Sequence, residues 1–433
     1  MPPATTDRAD PPQRIAWPFA LLACLLGLAS LHNDALGAAW ALFVFTGLWP
    51  LRCGAWRQAV APLPPFLKLW LLAALLSLAA KGLATLYWQD PWGERHGEIR
   101  MLLGAMACVG VWGYWQGRPE QRHLLLIWIS QALTLTSAMG LVWVLWYGRT
   151  GLTTHPIPWA GIMAMFSCWL LAVGLDKAFS LPLRMVWLTG SLTAVLAVLA
   201  SQSRGAYLVA GWWIAVLAWQ GSRQRAGARR TARMVSLSAA GVAVALTAML
   251  WYTPVLERTR LAVQEAVSEA QDFHRAAPEA PESSVGARLY LWQHSLQAIA
   301  QAPWLGHGHD GRKQLLKQWA DDAQSDHLRQ LGHVHNEYLH QLMDHGLPGL
   351  LSQAALLAGL LYAAWLLRAS GAHTAALALT GMWLVYATGN LSNVNFAHNY
   401  YTAGLSLMTS LSLVLLQVPI EPQQQRLPAR PVG

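Results

Sequence analysis

Apolar runs of membrane-spanning length recur along almost the whole chain and dominate its pattern. They lie at 15–32, 35–50, 63–84, 101–116, 124–147, 159–175, 185–200, 206–220, 235–251, 346–367, 374–390 and 400–417. A helix needs roughly 20 apolar residues to cross the hydrocarbon core of a bilayer, whereas barrel strands are shorter and alternate in polarity. The pattern therefore predicts an all-α polytopic membrane protein with about twelve transmembrane helices.

Basic residues are unevenly divided between the two sides of the predicted membrane. With a cytoplasmic N-terminus most arginines fall in the inside loops, and the short outside loops hold only Arg95, Arg100, Arg149 and Arg204. The positive-inside rule favours this orientation. It predicts a cytoplasmic N-terminus (1–14), transmembrane helices 1–9 (15–251), a periplasmic loop (252–345), transmembrane helices 10–12 (346–417) and a cytoplasmic tail (418–433).

Composition agrees with a membrane protein and argues against two other classes. The 433 residues are 55% hydrophobic and only 12% charged. The net charge of +9 is explained by the arginines of the inside loops, and no basic patch interleaved with aromatic residues indicates nucleic-acid binding. The four cysteines lie in or beside apolar runs without paired spacing, which argues against a disulfide framework or a zinc knuckle.

The long loop between spans 9 and 10 has its own helical pattern. An amphipathic helix is predicted at 257–274, followed by a Pro/Ala/Ser linker at 276–284. A second amphipathic helix starts after Ser283 or Ser284 and carries Arg288 one turn in. Its predicted apolar face consists of Val285, Leu289, Trp292, Leu296 and Ile299. A glycine-punctuated loop at 303–311 and a polar helix near 312–319 complete the segment.

The segment HVHNEYLHQLMDHGLPG, residues 333–349, places ionisable side chains directly before a membrane span. At helical spacing one face would carry His335, Tyr338, Leu339, Leu342, Gly346 and Gly349. Gly346 suits the end of a short helix, and Pro348 suits the first turn of the next one. His335 would then lie at the head of a helix on the bilayer surface. The alternative is a histidine that is merely packed in a half-buried helix.

Two arginines on the same side are candidates for binding an anion. Arg204, in SQSRGA (201–206), lies between two spans, and Arg288 lies on the loop helix. A guanidinium can grip a phosphate through two hydrogen bonds, although an arginine at an interface can also simply extend its charge into water.

Several other chemistries lack their motifs. The pairs His307/His309 and His333/His335 could ligate a metal, but there is no HExxH, and such spacing is generic. The absence of DxD, Walker A and GxSxG motifs gives no support to a metal-assisted sugar-nucleotide transferase, an ATP-driven transporter or a serine hydrolase. Asp34 and Asp90 in the outer loops could act as acids or serve structure alone.

Four motifs in order, SQSRGA, SSVGARLYLW, PWLGHG and HNEYLHQLMDHGLPG, resemble the signature of the O-antigen ligase family. That family includes related O-antigen polymerases and protein O-oligosaccharyltransferases. The resemblance implies a GT-C-like glycosyltransferase in the inner membrane of a Gram-negative bacterium. It also implies transfer of O-antigen polysaccharide from undecaprenyl diphosphate to the lipid A-core oligosaccharide on the periplasmic face, without a metal or cofactor and with inversion.

The resemblance also implies roles for individual residues. His335 would be the base that deprotonates the acceptor hydroxyl, while Arg204 and Arg288 would bind the diphosphate. Asn336 and Tyr338 could orient the substrate or serve helix packing. A polytopic transporter or flippase is the alternative from another class, but it should show charges at the membrane midplane, for which only Lys68 and Lys81 are candidates.

Overall fold

The protein is helical in every regular element of the described chain. The computed structural model describes residues 17–52, 63–115, 118–152, 154–223 and 284–417, with the single residues 260 and 264. Its helices are α1 (Trp17–Gly27), α2 (Asn33–Arg52), α3 (Pro65–Tyr87), α4 (His96–Trp115), α5 (Pro119–Tyr147), α6 (Pro156–Leu175), α7 (Leu181–Ala200), α8 (Leu208–Arg223), α9 (Ser284–Gln301), α10 (Gly308–Asp322), α11 (Asp326–Arg329), α12 (Glu337–Ala369), α13 (His373–Gly389) and α14 (Asn399–Leu415). Short 3-10 turns lie at Trp92–Arg95, Arg149–Gly151, Arg204–Ala206 and Asn395–Ala397.

The predicted apolar runs coincide with helices wherever the chain is described. Among the described helices, five are long and apolar enough to cross a membrane: α3, α5, α6, α7 and α12. Helices α1 and α8 are shorter apolar helices by the same measure. The predicted span at 235–251, the two termini and most of the predicted helix at 257–274 lie outside the described residues. The structure therefore supports a multi-pass membrane protein.

Helix α6 forms the centre of the bundle and is almost completely buried. It packs against α7, α13 and α14, so no face of this helix is left for lipid. Buried tryptophans in and beside this helix donate their indole N–H groups to neighbouring helices. Trp169 of α6 donates to Ser130 Oγ of α5 at 3.0 Å, and Trp213 of α8 donates to Ser191 Oγ of α7 at 2.7 Å. These bonds satisfy polar groups that would be costly to bury alone.

A break at Gly346 divides α12 into a polar head and an apolar span, as the sequence predicts. Gly346 has φ 58° and ψ −145°, which is not helical. A β-carbon there would lie 2.5 Å from the carbonyl carbon of Trp304, so only glycine fits. The loop at 303–307 docks on this break: Leu347 N donates to Pro303 O at 3.0 Å, and His307 N donates to Met343 O at 2.7 Å. The motifs PWLGHG and HNEYLHQLMDHGLPG are therefore parts of one contact.

Helices α9 to α11 form a loop subdomain (residues 284–334) with a small apolar core of its own. Its buried members include Ala287, Leu291, Ala298, Leu316, Trp319, Leu328 and Val334, together with Met343 of α12. The predicted apolar face of α9 is correct only in part. Val285, Leu289, Trp292 and Ile299 are half-buried, but Leu296 is 58% exposed, and the fully buried positions are Ala287, Leu291 and Ala298. Two of these positions carry alanine where α9 packs on α12 and contributes to the core that it shares with α10 and α11.

Candidate functional site

His335 lies directly before α12 in a strained backbone conformation. The predicted helical register back to His335 is wrong, because α12 begins at Glu337 and His335 has φ 54°. Such a conformation costs roughly 1 kcal/mol or more for a residue with a side chain. Asn336 holds the chain there by capping α12: its Oδ1 accepts from the N–H groups of Tyr338 at 3.0 Å and Leu339 at 3.1 Å. The helix cap therefore holds the backbone that follows His335.

The imidazole of His335 is deprotonated at neutral pH. Burial, with contributions from the positive charge of Arg288 and from His155, lowers its pKa to about 4, and a side-chain interaction with Asn393 only partly opposes the shift. Its Nδ1 atom is buried and has no hydrogen-bond partner among the described residues. His335 thus presents a half-buried neutral ring of the kind that can accept a proton.

Three further histidines surround His335 and define, with it, an imidazole cluster. The rings of His333 and His335 have centroids 4.3 Å apart. His155 and His398 stack with centroids 5.4 Å apart. Burial, followed by the neighbouring His335, lowers the pKa of His333 to about 3, and burial followed by His155 lowers that of His398 to about 4. All four rings are therefore neutral at pH 7, and the cluster adds no positive charge.

Arg288 is positioned by the contact of α9 with the segment that carries His335. Trp292, one turn further along α9, donates its indole N–H to the carbonyl of Val334 at 2.8 Å. Because residues four apart share a helix face, Arg288 and Trp292 lie on the side of α9 toward His335. Arg288 is half-buried, and its charge has the largest electrostatic effect of any neighbour on the pKa of His335.

The backbone of Arg204 lies beside the imidazole cluster, while its side chain lies outside the described part of the structure. Ser203 Oγ donates to the carbonyl of Pro156 at 3.0 Å, next to His155. A β-carbon added to Gly205 would collide with the hydroxyl of Ser392, next to Asn393. The turn at Arg204–Ala206 therefore joins the elements that carry two of the residues around His335.

The side chains of Asn336 and Tyr338 both have structural partners. Asn336 caps α12, as described above, and the Tyr338 hydroxyl donates to the carbonyl of Ala387 on α13 at 2.9 Å. Glu337, between them, is fully buried. Its Oε2 accepts from Phe396 N at 2.9 Å, and its Oε1 accepts from Gln341 Nε2 at 2.7 Å. This residue fixes the head of α12 against the loop that contains Asn393.

Sequence reasoning missed His155, Glu337, Asn393 and His398. The two histidines each precede a helix at this end of the bundle, His155 before α6 and His398 before α14. A histidine directly before a predicted span on the outer side was therefore an available signal. Glu337 and Asn393 carry no such signal, because only the packing of α12 against the loop after α13 brings them to the site.

Comparison with known families matches the part of the chain that builds this site. The O-antigen ligase family model matches residues 189–354, from within α7 to the apolar part of α12. The matched stretch contains Arg204, Arg288 and His335, so the resemblance predicted from sequence is confirmed there.

A second comparison finds a relative that is similar over a short stretch. A segment of 71 residues is 35% identical to a protein of Haemophilus influenzae described as uncharacterized. It covers 16% of this chain and 18% of that protein, so the chain spans less than a fifth of the relative's length in this match.

Proposed function

We propose that this multi-pass membrane protein, whose residues 189–354 match the O-antigen ligase family, transfers O-antigen polysaccharide from undecaprenyl diphosphate to the lipid A-core oligosaccharide. One observation carries the proposal: the helix of Arg288 is hydrogen-bonded through Trp292 to Val334, directly before His335, so a cation and a half-buried imidazole lie on contacting segments. A base next to a cation suits the transfer of a sugar from a diphosphate to a hydroxyl, because one removes a proton while the other stabilises the leaving group.

His335 acts as the general base in this mechanism. It accepts the proton of the acceptor hydroxyl while that oxygen attacks the anomeric carbon of the donor glycan. The bond between that carbon and the diphosphate oxygen breaks, and undecaprenyl diphosphate leaves with the bonding electron pair. A single displacement of this kind inverts the anomeric configuration. The proton on His335 then passes to water after the product leaves.

Arg204 and Arg288 bind the diphosphate, and binding of the donor also changes the pKa of His335. In the structure burial and the charge of Arg288 hold the pKa of His335 at about 4, which leaves it a weak base. A bound diphosphate would place negative charge against Arg288 and so raise the pKa of His335 toward its ordinary value. The base becomes stronger when the donor is present. Two guanidinium groups can neutralise the diphosphate without a metal ion.

The membrane arrangement is part of the proposal. Twelve spans in a GT-C-like fold would place the imidazole cluster and the loop subdomain on the periplasmic face of a Gram-negative inner membrane. The distribution of arginines along the sequence supports this orientation. The prenyl chain of the carrier would remain among membrane lipids while its diphosphate reaches the site.

Reconstitution of the reaction tests the proposal. The purified full-length protein in detergent is supplied with undecaprenyl diphosphate-linked glycan and lipid A-core, and the glycosylated acceptor and released undecaprenyl diphosphate are measured. Both products should appear in equal amounts. Extension of the glycan on a second carrier molecule would indicate an O-antigen polymerase, and transfer to a protein would indicate an O-oligosaccharyltransferase. The absence of any turnover in detergent would favour a transporter or flippase instead.

A further inference from the structure

A second group of ionisable side chains lies where the loop subdomain meets the bundle. Glu94 lies in the 3-10 turn before α4, His309 lies in the first turn of α10, and Asp344 lies in the polar head of α12. One ligand atom from each, a ring nitrogen of His309 and an oxygen of each carboxylate, lies within 4.8 Å of the others. Three separate elements thus converge on one point.

Asp344 has one oxygen that its protein neighbours do not satisfy. Its side chain is fully buried, and Arg312 Nε donates to Oδ1 at 2.7 Å. Arg312 is held in turn by the carbonyl of Gly332, to which its Nη1 donates at 2.8 Å. The other oxygen, Oδ2, is buried and makes no hydrogen bond in the described chain, and His340 Nε2 lies 3.6 Å from it. A buried carboxylate oxygen in this state is costly unless a cation or donor reaches it.

A third carboxylate, that of Asp90, lies near this group. Asp90 is almost buried, and its Oδ1 accepts a hydrogen bond from the backbone N–H of His309 at 3.1 Å. Asp90 also lies 3.4 Å from His345 Nε2, while the charge of Glu94 acts on Asp344. A divalent cation bound between Glu94 and Asp344 would offset the repulsion between these two carboxylates in a poorly solvated region.

We propose that Glu94, His309 and Asp344 bind a divalent transition-metal cation, Zn²⁺ or Mn²⁺. One imidazole and two carboxylates suit these ions, whereas Ca²⁺ and Mg²⁺ prefer oxygen ligands alone. Nδ1 of His309 lies 3.1 Å from Glu94 Oε1 and 3.1 Å from Arg312 Nη2. When the metal binds, the lone pair of His309 Nδ1 is directed at the ion. Arg312 keeps its bonds to Asp344 Oδ1 and Gly332 and so orients the ligand Asp344.

This metal site is structural and independent of the proposed transfer reaction. It ties α10 to α12 and to the turn before α4. Trp88, at the end of α3, makes a second contact between the bundle and the loop subdomain by donating its indole N–H to the carbonyl of Leu305 at 2.7 Å. The ion would therefore stabilise the position of the loop subdomain on the bundle, and none of its ligands takes part in the transfer mechanism.

Metal content and thermal unfolding of the full-length protein test the inference. The protein, purified in detergent with a histidine-free affinity tag, is stripped with EDTA, dialysed and then supplied with Zn²⁺ or Mn²⁺. We expect about one ion per chain by mass spectrometry of the metal. At about 100 times the dissociation constant, the unfolding midpoint from tryptophan fluorescence should rise by roughly 3–6 °C.

Matched variants locate the site. Glu94→Gln and His309→Gln should lose both the ion and the shift. Asp321→Asn, which removes an exposed carboxylate from the same helix, should keep both. Glu94 is only half-buried, so its variant tests the site even if Asp344→Asn fails to fold. The proposal is overturned if the stripped protein takes up no metal, or if both site variants bind as much metal as the parent protein.

Discussion

The indole N–H of Trp292 donates to the carbonyl oxygen of Val334, the residue immediately before His335. This bond connects the loop helix that carries Arg288 to the segment that carries the proposed base. The cation and the base are therefore positioned by one contact between α9 and the chain leading into α12, and not by two independent loops.

Replacing Trp292 with Phe should disturb both residues together. The carbonyl of Val334 would lose its donor, and an unsatisfied buried acceptor costs about 1–3 kcal/mol. We expect a lower unfolding midpoint and a reduced kcat/KM for the acceptor. Leu296→Ala on the same helix is the control, because that side chain is 58% exposed and its loss should have little effect. Equal effects of the two substitutions would argue against the role of the Trp292 contact.

The pH dependence of transfer should reflect the lowered pKa of His335. The base acts when deprotonated, so a pKa of about 4 keeps it active at every pH well above that value. Because kcat/KM for the donor reports ionisations of the enzyme before the donor binds, it should be flat from pH 6 to 8 and fall only below about pH 5. Arg288→Gln removes a charge that lowers this pKa, so the acidic limb should move to higher pH. A wild-type midpoint near pH 6.5 would contradict this assignment.

Arginine-to-lysine substitutions separate charge from hydrogen-bond geometry. A lysine keeps the positive charge but cannot make the forked contact with a diphosphate. Arg204→Lys and Arg288→Lys should each lower turnover by roughly 10- to 100-fold. Arg329→Lys is the matched control, since this exposed arginine pairs with Asp321 and Asp326 within the loop subdomain. Full activity in both site variants would show that charge alone suffices.

Membrane orientation can be measured directly. In a variant without native cysteines, a single cysteine at Gln324 should react from the periplasm with a membrane-impermeant thiol reagent. A cysteine at Ala226, in a predicted inside loop rich in arginine, should not react. Labelling at Ala226 and not at Gln324 would place the imidazole cluster on the cytoplasmic face and contradict the proposed donor pool.

The sequence predicts the helices of the bundle and the residues His335, Arg204 and Arg288 of the candidate site. It does not predict features that depend on tertiary packing. Apolar run length locates the described helices of the bundle, and Gly346 with Pro348 predicts the break in α12, because local backbone preferences are sufficient there. The buried face of α9 could not be predicted. Close packing there selects Ala287 and Ala298, whereas the larger apolar side chain of Leu296 is left exposed. Asn393 approaches His335 only through tertiary contacts, which no local pattern records.

In the proposed mechanism His335 is the base, and the two arginines hold the carrier. Substitution of a general base costs roughly 10²–10⁴-fold in rate, so His335→Ala should lose turnover on this scale, and His333→Ala should lose much less. The most direct measurement is the binding of undecaprenyl diphosphate to His335→Ala, Arg204→Ala and Arg288→Ala. We predict near-normal binding for the histidine variant and weakened binding for both arginine variants. Loss of binding in His335→Ala with normal binding in both arginine variants would contradict the account and assign the histidine to the carrier site.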